Sequence, residues 1–150
     1  VANFLSTGRA AVLAALKADA DIASRVKTWF EFNRSLQQRF TIEPAECTAY
    51  ALHPGRIVEP DDRYNAAYDM RQEIIVLITT DGQQPDANEE LIALTFAQVR
   101  ESREAMFGLS DAGLKNIRAS ASLEPWEREN SPRLMWQATV TITLEWIRFD

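Results

Sequence analysis

The sequence predicts an α+β fold: one roughly four-stranded, mainly antiparallel sheet with helices packed on one face. Three observations carry this. Trp136, Ala138, Val140, Ile142, Leu144 and Trp146 alternate with Gln137, Thr139, Thr141, Thr143 and Glu145, the period of a strand with one face in a core. Ile74-Ile75-Val76-Leu77-Ile78 is an unbroken apolar run, as expected of a strand covered on both sides or held mid-sheet. Two stretches, near the N-terminus and after residue 86, repeat apolar residues every three or four positions, the spacing of a helix face.

In chain order, Ser6 or Thr7 is expected to cap a helix over 7–18 that carries Ala10, Val12, Leu13 and Leu16, because a side-chain oxygen there can accept from a free amide of the first turn. Asp19 or Asp21 is a second cap. Ile22, Val26, Trp29 and Phe30 extend the apolar stripe into a helix over 21–37. A strand follows over 45–53, with Pro44 before it and His53-Pro54-Gly55 as a turn after it. The polar segment 53–66 reads as an arm, and the central strand spans 68–80. Asp86 or Asn88 is expected to cap the next helix, with Ile92, Phe96, Val99 and Met106 on one face and Gly108 just past its end. Strands over 114–123 and 134–148 pair as an antiparallel hairpin across a polar loop, 124–132. The order is α(α)-β-arm-β-α-β-β. Trp29 and Trp136 are expected in the core.

A length of 150 residues is close to the commonest size of one domain, and no linker or repeat divides the chain, so a single domain over 1–150 is expected. At this size roughly 68–70% of the unfolded surface can be buried. With 46% hydrophobic and 25% charged residues, the composition is that of a globular protein. The longest apolar run is far short of the ~20 residues of a membrane span. The segment from Val1 to Leu5 has no basic stretch leading into a long apolar one, so no secretory signal is expected.

Chemistry is sparse. The single Cys47 excludes an internal disulfide and a cysteine-based zinc site. His53 is the only histidine, so any nucleophile–histidine device must use it. Cys47 precedes it by an even spacing, which allows a shared strand face; the plainer reading is a half-buried cysteine and a turn histidine. Glu59, Asp61 and Asp62, beside Arg63, are the best candidate for a hard cation or an acidic pocket, yet lack calcium-loop spacing. A solvated loop is the simpler reading. Glu101 and Glu104 alternate with Arg100 and Arg103, an exposed ion-pair face. The five glycines form no phosphate-binding loop. No cofactor, metal or catalytic group is expected. The net charge of −6, from 16 basic and 22 acidic residues, disfavours a stable grip on nucleic acid.

Contact features are clearer. Trp126 lies in the expected polar loop, and an indole there either meets a partner or folds back on its own domain; Arg128 and Arg133 are candidate interface arginines beside it. Within the arm, Arg56, Arg63 and Tyr64 suit either an exposed hairpin tip or an extension that reaches a neighbouring copy. Thr139, Thr141 and Thr143 suit an edge or an inter-subunit sheet.

The layout resembles the tail terminator, or tail completion, proteins of long-tailed bacteriophages and related particles. The matching features are the helix Arg9-Ala-Ala-Val-Leu-Ala-Ala-Leu16 and the strand segment Pro44-Ala-Glu-Cys-Thr-Ala-Tyr-Ala-Leu-His-Pro54. The central strand Arg71-Gln-Glu-Ile-Ile-Val-Leu-Ile78, the helix opening at Asn88-Glu-Glu-Leu-Ile-Ala-Leu94, and the final Trp136-Gln-Ala-Thr-Val-Thr-Ile-Thr-Leu-Glu-Trp146 complete them. The resemblance covers most of the chain and is one of order, length and texture. It implies a structural virion protein that forms a ring, typically of six copies, at the head-proximal end of the tail. Such a ring ends tail-tube polymerisation and meets the tail tube protein on one side and the head–tail connector on the other. DNA passes through its lumen. The resemblance brings no catalytic residues. Neck and head-completion proteins share this scale and are the alternative; a small enzyme built around Glu59, Asp61 and Arg63 is a remoter one.

Overall fold

The computed structural model describes residues 3–33, 42–59, 70–127 and 134–147. Its elements are α1 (Phe4–Ala18), α2 (Ala20–Arg25), β1 (Thr28–Glu31), β2 (Ala49–Val58), β3 (Met70–Asp81), α3 (Asp86–Ala105), β4 (Leu114–Glu127) and β5 (Leu134–Trp146). The five strands form one sheet in the order β1-β2-β3-β5-β4. β1 runs parallel to β2, and the other three pairings are antiparallel. The α+β class therefore holds, with one strand more than the sequence suggests.

The helices pack on one sheet face. Ile74, Val76 and Ile78 of β3 point there with Tyr50 and Leu52 of β2 and with Ala138, Val140, Ile142, Leu144 and Trp146 of β5. Against them α1 lays Gly8, Val12 and Leu16, a stripe at four-residue spacing, and α3 lays Asn88, Leu91, Thr95 and Val99. The apolar run of β3 is explained by its central place: its odd-numbered Leu77 joins a second, smaller cluster with Ile42, Ala49 and Ala51 on the opposite face. Beyond that corner the second face is mainly polar, apart from Met135 and the Trp126 opposite it.

Several expectations are corrected. The helix expected over 21–37 stops at Arg25, and Trp29 and Phe30 lie in β1. Trp29 packs on Tyr50 with ring centroids 5.2 Å apart, while Phe30 joins the second cluster. Adjacent residues turned to opposite faces are what a strand produces. Asn3, not Ser6 or Thr7, caps α1, its Oδ1 accepting from Leu5 and Ser6 amides. Asp19 caps α2 as expected. α3 begins at Asp86 with no side-chain cap, and Asn88 points inward instead. It ends at Ala105 before a left-handed Met106 (φ 50°). Gly108 (φ 73°) closes the short 3₁₀ turn that follows.

His53-Pro54-Gly55 is not a turn but part of β2, with a register shift between Pro54 and Ile57. β1 pairs only with Ala49 to Leu52, so Pro54 lies where the outer edge of β2 has no neighbour among the described residues and its missing N–H costs no ladder bond. Trp126 is likewise not in a loop: β4 continues through it to Glu127. No helix among the described residues is long and apolar enough to cross a membrane.

Candidate assembly surfaces

The polar sheet face is built by strand alternation. On β5 it carries Thr139, Thr141, Thr143 and Glu145; on β4 it carries Arg118, Ser120, Ser122, Glu124 and Trp126, each opposite a β5 residue of the same face. The three threonines are half-buried. They do not lie on an edge, as the sequence suggested, because β5 sits between β3 and β4. The outer strands are β1 and β4.

At one end of this face a carboxylate is held between arginines from two neighbouring strands. Glu145, with 3% of its side chain exposed, accepts from Arg118 Nε at 2.8 Å and from Asn116 Nδ2 at 2.9 Å. Arg71 Nη2 of β3 lies 3.8 Å from its other oxygen. A buried carboxylate persists only when paired and hydrogen-bonded. This one is hydrogen-bonded through Oε1, while Oε2 has the charge of Arg71 nearby but no hydrogen bond among the described residues. Two guanidinium groups around one acid leave local positive charge on an acidic chain. A cavity of about 270 Å³ opens there between Arg71, Arg118, Ser120 and Thr143.

Arg56 is also committed within the sheet. It grips Glu73 of β3 through Nε (3.0 Å) and Nη2 (3.3 Å), and this carboxylate raises the guanidinium pKa. The remaining expected contact residues of the arm and hairpin loop, Arg63, Tyr64, Arg128 and Arg133, lie outside the described residues, as do Asp61 and Asp62. Cys47 precedes β2, with its Sγ 3.7 Å from the Glu43 carbonyl. The even-spacing argument for a pair with His53 therefore fails, since the strand starts at Ala49.

The second surface is a groove of about 370 Å³ between α3 and β4. Ile92, Ala93 and Phe96 form one wall and Ala121, Ser122 and Leu123 the other, with Glu89 at the rim. It exists because β4 carries small residues, Ala119-Ser120-Ala121-Ser122, where the inner strands carry large ones. Sequence reading missed both the groove and the free edge. The run of alanine and serine was the available signal.

No protein-family model and no curated protein matches the chain. Among solved structures, the fold is similar to a chain in the virion of a native gene transfer agent (GTA) particle, with a TM-score of 0.55 and 14% identity. The alignment covers 91% of this chain and 93% of that one.

Proposed function

We propose that this chain is a structural protein of a phage-like particle. In this reading it forms a ring, of six copies, at the head-proximal end of the tail. The ring ends tail-tube growth and joins the tube to the head connector, with DNA passing through the lumen. The observation that carries the reading is the fold likeness to a chain of a gene transfer agent virion, which spans nearly the whole of both chains. It agrees with the element order from which the resemblance to tail terminators was drawn.

The charge supports the same role. A net charge of −6 repels phosphates within a Debye length of about 10 Å, which favours passage of DNA over capture. A ring requires two unlike patches on each copy. Arg63 and Tyr64 of the arm, together with Trp126, Arg128 and Arg133, are the proposed contacts, and the polar face with Thr139, Thr141 and Thr143 is the proposed partner-facing surface. The whole chain acts as one domain in this role.

Particles assembled without the protein test the proposal. Expected are tails of uncontrolled length and heads that carry no tail. Tails of normal length joined to full heads would contradict it.

A further inference from the structure

We propose that two free copies of this chain pair through their β4 edges, antiparallel and two-fold, in a register centred on Ala121. β4 is the last strand of the sheet, with no neighbour on its outer side among the described residues. Its middle is exposed at Arg118, Ser120, Ala121, Ser122, Glu124 and Pro125. A long exposed edge offers unpaired N–H and C=O groups to any other strand.

The sequence of β4 identifies the partner as itself. Antiparallel pairing about Ala121 sets Arg118 of each copy opposite Glu124 of the other. It also sets Ser120 opposite Ser122 and Ala119 opposite Leu123. Residues directly opposite share a sheet face. Arg118 and Glu124 both belong to the polar face, so the two ion pairs form there. Ala119, Ala121 and Leu123 belong to the helix side, beside the apolar groove under Ile92 and Phe96. Arg118 spends its Nε on Glu145 but keeps 64% of its side chain exposed, so its far end can meet a second acid.

Backbone polarity agrees. Pro125 stands opposite Trp136 of β5, and a proline within a strand is accommodated where its nitrogen faces away from the neighbour. Ala119, Ala121 and Leu123 are in step with Pro125 and turn their N–H and C=O outward with it. They form the ladder of the pair. A two-fold contact of this kind closes on itself. It covers the edge of the free chain and is separate from the head-to-tail contacts of a ring.

Sedimentation of the full chain over a concentration series, with charge variants, tests this. Glu124→Arg, a change at an exposed position, is expected to weaken pairing about tenfold by setting like charges opposite each other twice. Arg118→Glu should do the same, and a mixture of the two variants should pair again, because both contacts then join opposite charges. Arg118→Glu also stands beside Glu145 and can lose its fold. Ala121→Cys, in a Cys47→Ser background, avoids that risk: mild oxidation should link two chains faster than it does in Ser120→Cys, whose equivalent positions are offset in this register. A chain monomeric at every concentration overturns the proposal. So does self-association indifferent to Glu124→Arg with equal cross-linking of both cysteine variants.

Discussion

At the scale of single residues, Gly8 shows how closely the N-terminal helix approaches the sheet. A Cβ at this position would stand 2.7 Å from Gln72 Oε1 and 3.0 Å from Leu144 Cδ1. Gln72 cannot swing aside freely, since its Nε2 donates to the Leu5 carbonyl at 2.8 Å and its Oε1 accepts from Trp146 Nε1 at 3.2 Å. Gly8→Ala gains up to about 1 kcal/mol of helix propensity but meets an overpacking cost of about 1–3 kcal/mol. Net destabilisation is expected, read as a lower urea midpoint. Tyr50 supplies a second test. Burial pushes its phenol from 10.0 up to about 12, against a smaller opposing effect of the hydrogen bond with Thr95, 2.8 Å away. The neutral phenol is thus favoured in the folded chain. That stabilisation is complete below pH 10 and is lost as pH rises through 12, on the order of 2–3 kcal/mol in all. Tyr50→Phe should flatten this alkaline loss in chemical denaturation curves, and should cost about 1 kcal/mol at neutral pH for the missing hydrogen bond.

At the scale of elements, α3 is fastened to the sheet by a polar group rather than by apolar contact alone. Asn88 Nδ2 lies 3.0 Å from each of the Ile78 carbonyl, the Trp136 carbonyl and Thr80 Oγ1, joining α3, β3 and β5. Asn88→Ala removes the two amide hydrogens that these three acceptors share, at about 1–3 kcal/mol in all. Thermal unfolding should show the loss, with amide exchange rising first in the opening turns of α3. This role could not be read from the sequence, where an asparagine before Glu89 and Glu90 suits a cap equally well. The strands β3 and β5 were legible because one carries the unbroken apolar run Ile74 to Ile78 and the other alternates from Trp136 to Trp146. β1 was not: Ile22, Val26, Trp29 and Phe30 fit helical spacing, and four residues are too few for a period of two to contradict it. Pro54 and Pro125 misled in the same way. Each suggested the end of a strand, yet each sits on a strand side without a neighbour among the described residues, where proline is tolerated. The candidate surfaces were legible only in composition. Trp126 and the threonines stand apart from the core pattern in the sequence, but which strand forms the edge depends on sheet order, and no local pattern encodes that.

At the scale of the whole molecule, the sheet spends one face on the helices and keeps the other mainly polar, with its large apolar side chains gathered at the Leu77 corner and at the Trp126–Met135 pair. A molecule built this way holds its fold with one face and offers edges, a groove and a charged polar face to other proteins. That division of labour is the physical basis for reading it as an assembly component. The measurement closest to this claim is a reconstruction of the assembled particle at a resolution that traces this chain. Six copies in a closed ring, seated between tail tube and head connector around the DNA path, are predicted. The same density map without this chain at the junction, or with a single copy making no contact with its equivalents, would contradict the account.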